Sequence, residues 1–296
     1  ASYVSSNTPW FFTGLRVQFF PSDALKIEPW IINGWQTYNE FNNGFGNTGM
    51  NFGMEIRWAP SPDVVVISNN YSGYDEPDSP NCIRFHTDDS FLLKYLDDPK
   101  SGGIDKMAFS LTCDYGFMSG PMWIGNGAAG TGGTGQGGSY VNVGPTGPNQ
   151  EEFVGAMFYD RTWFNHDTLA FTFGGGFMYN PGEYLALLPP INGDTGANYS
   201  NDPVANAAFT ELPGSQWNAW DYDFGFQWMP NQYLTVDLEY THRFSSLNYF
   251  VGPGGVTSSD GWQAGANTGS TNTANGYVPN LVQFEDLIIG SLMIHI

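Results

Sequence analysis

The chain has 296 residues, a formal net charge of −20 and a sequence pI near 4.1. Nine Lys and Arg stand against 29 Asp and Glu, which excludes a nucleic-acid binder, since phosphate recognition needs basic patches. Charged residues reach only 13% against 17% aromatics, Gly numbers 38 and mean hydropathy is −0.28; with no run of about 18 apolar residues for a transmembrane helix, this is the composition of a large all-β protein, and outer-membrane barrels fit it best.

About eleven strands are predicted, each long enough to cross a bilayer at a tilt: residues 10–20, 25–35, 48–59, 63–72, 82–97, 104–118, 152–164, 168–179, 217–229, 233–244 and 281–296. Most alternate with period two. In the first pair, Leu15, Val17 and Phe19 oppose Arg16 and Gln18, and Leu25, Ile27 and Ile31 oppose Lys26 and Glu28. In 48–59, Met50, Phe52, Met54, Ile56 and Trp58 oppose Asn51, Gly53, Glu55 and Arg57. In 82–97, Asp89 falls in the apolar register after Phe85, so a β-bulge or strand end is predicted there. In 104–118, Phe109, Leu111, Cys113, Tyr115 and Phe117 oppose Ser110, Thr112, Asp114 and Gly116. In 168–179, Leu169, Phe171, Phe173 and Phe177 oppose Ala170, Thr172, Gly174 and Gly176. The hairpin 217–244 is the clearest: Trp220, Tyr222, Phe224, Phe226 and Trp228, then Leu234, Val236, Leu238 and Tyr240, oppose a row carrying Asp221, Asp223, Asp237, Glu239 and Arg243. In the last strand Asp286 and Gly290 interrupt the apolar row.

Connections alternate in length. "PSDA", "SPD", "DDPKSGG", "NHD" and "PNQ" are short; "QTYNEFNNGFGNT", "SGYDEPDSPN" and the stretches 119–150, 180–215 and 245–279 are long. An outer-membrane barrel has this asymmetry, with short periplasmic turns and long extracellular loops. Phe19, Phe20, Trp58, Tyr95, Phe164, Trp228 and Tyr233 collect beside the short turns, as an interfacial aromatic girdle does. In this topology the strand 10–20 runs inward from outside. An eleven-strand chain with an outside start does not match an even-numbered barrel with both ends periplasmic. The expectation is a twelfth strand ending in 1–9 or further strands preceding this sequence. No signal peptide is visible, and the chain starts at Ala1 without Met, consistent with a processed or incomplete chain.

The stretches "TGLRVQFFPSDALKIEPWIINGWQTY", "IRFHTDDSFLLKY", "FGGGFMYNPGEYLALLPPINGDT" and "FVGPGGV" resemble the β-barrel porins of bacterial outer membranes labelled OmpL-like, over nearly the whole chain from Thr13 to Ile296. The resemblance implies a Gram-negative outer-membrane barrel with a pore. Its members are longer at the N-terminus, so a barrel of about 16 strands fits them. The chain departs from the general outer-membrane pattern by ending "MIHI" rather than on an aromatic residue.

Other constellations carry less. His86, Asp88 and Ser90 share one face of one strand, about 6.6–7 Å apart per step, and no oxyanion-hole element accompanies them; a polar lumen wall with Arg84 is the reading over a hydrolase triad. His166, His242 and His295 are scattered without metal-ligand spacing. Cys82 and Cys113 sit on neighbouring strands offset by roughly eight positions, so no disulfide is expected. The acidic loops 75–81 and 192–202 could hold Ca²⁺, but neither matches an EF-hand and solvated loops are the expectation. "FGGGF" and "GTGGTGQGG" lack the Lys-Ser/Thr of a phosphate loop. "LLPPING" is an apolar patch that either folds into the barrel mouth or packs on a neighbour.

The reading is an all-β, transmembrane antiparallel up-and-down barrel, a single domain over 1–296. It is a non-enzymatic, cofactor-free porin passing ions and small hydrophilic solutes, in contact with outer-membrane lipid and compatible with a homo-oligomer. The expected pore wall is mixed: Glu28, Glu55, Asp88, Asp114, Asp221, Asp223, Asp237 and Glu239 with Arg16, Lys26, Arg57, Arg84 and Arg243. Carboxylates predominate over the chain, so weak cation selectivity is expected. The alternative is a structural barrel with acidic external loops and a plugged lumen.

Overall fold

The computed structural model describes residues 12–35, 51–76, 79–100, 102–124, 139–181, 184–185, 216–253 and 281–294. Its elements in chain order are strands: β1 (Gly14–Arg16), β2 (Phe19–Ser22), β3 (Leu25–Ile32), β4 (Asn51–Ser61), β5 (Val64–Gly73), β6 (Ile83–Asp97), β7 (Ile104–Ile124), β8 (Ser139–Val143), β9 (Glu152–Phe164), β10 (Leu169–Pro181), β11 (Gln216–Asn231), β12 (Leu234–Ser245), β13 (Phe250–Val251), β14 (Leu281–Val282) and β15 (Phe284–Ile294). Among the described residues there is no helix.

One 13-stranded sheet runs β1-β3-β4-β5-β6-β7-β9-β10-β11-β12-β15, with β2 pairing β3 and β8 pairing β7. All its strand pairs are antiparallel and neighbours in sequence are neighbours in space, the up-and-down order of a transmembrane barrel. β1 and β2 lie end to end against β3 and together form the first predicted strand. The predicted strands are all present. The period-two pattern did not foresee β8, which extends the long-loop end of β7 as a hairpin through Gly120–Ile124, nor the two-stranded sheet β13-β14.

Register shifts interrupt the ladders at Phe19/Ser22, Trp58/Ser61, Lys94/Leu96, Ile104/Lys106 and Trp228/Asn231. Every one adjoins a short turn, where a bulge increases twist as the chain reverses. The irregularity predicted near Asp89 is therefore misplaced. Asp89 stays in register between Ser68 and Cys113; Ser68, Asn70 and Thr87 beside it on that face are polar and Thr87 Oγ1 donates to it at 3.1 Å, so nothing forces the strand to break. In the β9–β10 turn, Asn165, His166 and Asp167 have φ of 53°, 56° and 59°. Asn, Asp and His tolerate this left-handed region better than other side chains, which accounts for the lone His166.

The two faces differ. Outward rows such as Phe171, Phe173 and Phe177, Trp220 to Trp228, and Ile288 and Leu292 are exposed. Six of the seven girdle aromatics are exposed beside the short turns, and Phe164 is half-buried. The inward face holds the buried charges Glu28, Arg84, Asp114, Asp221 and Asp223. At the long-loop end it becomes apolar: Met118, Phe153, Met178 and Trp217 pack with Cys82, Tyr184, Leu185 and Phe250. Cys82 is buried there and Cys113 is exposed on the outward face; both are free thiols.

Candidate functional site: the inward face of the sheet

Antiparallel pairing carries one face from strand to strand. Lys26 and Glu28 oppose Arg57 and Glu55. Glu55 leads through Asn69 to Asp88 and Asp114. Asp114 leads through Gly155, Met178 and Ala219 to the row of Asp221 and Asp223. Asp221 opposes Arg243, and Gly225 and Gln227 oppose Glu239 and Asp237. Arg16 opposes Trp30 on the same face, and Arg84 lies two residues before His86 on it. All thirteen charged residues singled out from the sequence thus share one face. So do Lys94, Lys106 and Arg161, leaving Lys100 as the one basic side chain of the chain outside this row.

The charges form three groups. At β1–β4, Glu28 is fully buried and accepts from Gln18 Nε2 at 2.5 Å, Trp30 Nε1 at 2.9 Å, and Arg16 and Lys26 at 3.3 Å each. Lys26 also reaches Glu55 at 2.6 Å. With Arg57 of β4 opposite Lys26, this group holds three basic side chains against two carboxylates. At β9–β15 the balance is acidic: Asp221, Asp223, Asp237, Glu239 and Glu285 stand against Arg161 and Arg243. Tyr159 donates to Asp223 at 2.6 Å, Arg161 donates to Gln227, and Arg243 pairs Glu285 at 3.5 Å. Two cavities of about 480 and 360 Å³ open along this wall and share Tyr159, Arg161 and Thr172.

The third group lies at the long-loop end. Arg84 is ion-paired at 3.1 Å to both Asp75 and Glu76, donates to the Tyr184 carbonyl at 3.1 Å, and lies over the rings of Trp35 and Tyr184 at 5.3 and 4.9 Å. The rings of His86, Tyr184 and Phe153 are near-parallel mutual neighbours, with centroids 5.9, 5.8 and 6.2 Å apart. The Tyr184 hydroxyl donates to the Phe85 carbonyl at 2.8 Å, and burial raises its phenol above the ordinary value, so it stays a neutral donor. Gly116 makes this possible: a Cβ there would come within 2.6 Å of the Tyr184 ring and 2.7 Å of His86 Nδ1. A cavity of about 210 Å³ beside the cluster is lined by Trp30, Trp35, Asn69, Tyr71, His86 and Asp88.

In the first acidic loop, Asp75 and Glu76 are therefore held by protein groups rather than left to solvent. Asp75 accepts from Arg84, the Tyr71 hydroxyl and the Trp35 backbone N–H; an internal cation claims it. The loop 192–202, the "LLPPING" patch and most of the long connections lie outside the described residues. In the former triad candidate, Ser90 bonds Thr112 at 2.8 Å and His86 meets Tyr184 at 3.3 Å, so the serine and the histidine are engaged with other groups.

Sequence reasoning missed Tyr159, Arg161, Trp35 and Tyr184. In β9 both rows mix aromatic and charged residues, and only pairing with the clean alternation of β10 reveals that Tyr159 and Arg161 face inward. Tyr184 and Trp35 sit in irregular chain, where periodicity says nothing.

No curated protein matches the chain. A NanC porin solved in a rhombohedral crystal form aligns with it at 10% sequence identity, over 96% of this chain and 93% of that one, with a TM-score of 0.38. The family model described as "Putative beta-barrel porin-2, OmpL-like" matches residues 1–275. An up-and-down antiparallel sheet with an aromatic outward face and a charged inward face is the architecture such a family requires, and the chain belongs to this family of porin-like outer-membrane β-barrels.

Proposed function

We propose that the protein is a non-enzymatic bacterial porin whose water-filled lumen passes small hydrophilic solutes with weak cation selectivity. The observation that carries this is the shared register: strand pairing from β1 to β12 brings the thirteen charged residues named above onto one face. The thirteen residues from Arg16 to Arg243 named above are the proposed pore wall.

Selectivity does not come from a uniformly acidic wall, because nearly all the basic groups face inward too. It comes from segregation. The β1–β4 wall sets Arg16, Lys26 and Arg57 against Glu28 and Glu55, whereas the β11–β15 arc is acidic, and among the described residues Asp223 and Asp237 each keep a buried carboxylate oxygen with no hydrogen-bond donor. The Debye length is about 8 Å near physiological salt, so the field acts in a narrow pore and fades in a wide one. Strands β1/β2 and β15 run in the same direction at the two edges of the sheet; antiparallel closure takes an odd number of further strands, and a total of about 12 or 16 satisfies this.

The test is the reversal potential across a planar bilayer under a KCl gradient. A cation preference is expected, weakening as salt rises and in the variant combining Asp221→Asn, Asp223→Asn, Asp237→Asn and Glu239→Gln. Anion preference, or an unchanged quadruple variant, refutes the proposed selectivity. The apolar packing of Tyr184, Leu185 and Phe153 across the long-loop end favours a second reading, a plugged structural barrel, and absence of any conductance would decide for it.

A further inference from the structure

Among the described residues, the outward face carries a polar stretch near mid-strand that does not suit lipid. Ser68 opposes Asp89, which opposes Cys113; one step along, Asn70 opposes Thr87. Asn70 Nδ2 donates to Ser68 Oγ at 3.0 Å and Thr87 donates to Asp89 at 3.1 Å. This polar island lies near the middle of β6. Val66, Phe91 and Leu111 flank it on the short-turn side and Phe85 and Phe117 on the other. It therefore sits at the depth where hydrocarbon offers no hydrogen-bond partner.

Other outward carboxylates are differently supplied. Asp160 takes the Tyr95 hydroxyl at 2.7 Å beside a short turn. Asp286 takes the Tyr240 hydroxyl at 2.7 Å and His242 Nδ1 at 2.8 Å. Among the described residues Asp89 has one hydroxyl, two residues away on its own strand. A carboxylate has room for several donors, and the Asn70 amide has a second N–H and a carbonyl to offer.

We propose that this island is the contact face of a two-fold dimer with a second copy of this chain. The proposal rests on reading this face as the outside of a membrane barrel. A two-fold interface needs a self-complementary patch, because the same surface meets itself. Hydroxyls and an amide donate and accept at once, so Ser68 and Asn70 of one copy satisfy Asp89 of the other, and the reverse. The apolar surround then packs or meets lipid.

Cys113 reports on the contact. It is exposed within the island, whereas burial pushes the Cys82 thiol up to about 12 and leaves it unreactive. A short bismaleimide added to membranes carrying the protein should give a band at twice the chain mass. The band should survive Cys82→Ser and vanish with Cys113→Ser. Independently, sedimentation in mild detergent should show a dimer for the parent and a monomer for the Asn70→Leu, Asp89→Leu double variant, with the heat-modifiable mobility of a folded barrel kept in both. A monomeric parent overturns the dimer, as does a double variant that stays dimeric or a cross-link only to chains of other mass. Conductance separates the two readings: conducting monomers refute the dimer and leave the pore, and silent dimers do the reverse.

Discussion

The β10–β12 arc and the β5–β7 arc are built by the same ladder and serve opposite surroundings. In β10–β12 the outward rows are aromatic or aliphatic over most of their length and the inward rows of β11 and β12 are acidic with space in front of them. In β5–β7 the outward row is broken by Ser68, Asn70, Thr87 and Asp89, and the inward row is filled at its long-loop end by Arg84, its two carboxylates and the rings around it. Alternation alone makes a two-faced strand. What each face is for depends on how many of its polar groups find partners inside the protein.

The sharpest way to break this contrast is at Arg84. Removing one partner of a buried pair strands the others, a loss of about 3–5 kcal/mol. Arg84→Ala should therefore destabilise strongly in urea titrations of the reconstituted protein and raise single-channel conductance by loosening the Tyr184 segment. Arg243→Ala, in the more open β12 wall, should do less of both. Equal effects would show that the mouth cluster is not a structural unit.

Next in size is a charge placed on the outward face. Phe224→Arg near the bilayer midplane should cost about 2–4 kcal/mol. Asn70→Arg, at a comparable depth in the β5–β7 arc, should cost measurably less, because polar neighbours are already present. Unfolding titrations in lipid vesicles compare the two. If Phe224→Arg folded as stably as the parent, the outward assignment of the β11 row would fail.

A smaller effect is expected at Gly116. Overpacking costs about 1–3 kcal/mol, and the Cβ of Gly116→Ala would press on Tyr184 and His86. The thermal midpoint should fall modestly and conductance should rise as Tyr184 is displaced. Gly225→Ala in the β11 wall, whose nearest contact would be Thr172 at 3.6 Å, is the control and should change neither.

Much of this molecule is local. A residue's side alternates along a strand because the backbone is pleated, so "WDYDFGFQW" states both its faces without any other part of the chain. Turn residues add the hairpins, and the alternation of short and long connections adds the order of the sheet. The thirteen wall residues come to one face for that reason alone. Three things were decided by the tertiary structure. The faces of β9 depend on its pairing with β10, because its own two rows are equally mixed. The place of the bulges depends on where the sheet must twist, beside the turns, and not on where a single Asp interrupts a pattern. The mouth depends on Tyr184 reaching Arg84 across 100 residues of sequence. No periodicity encodes such a contact, since the energy that selects it is the burial and pairing of groups brought together only when the sheet has formed.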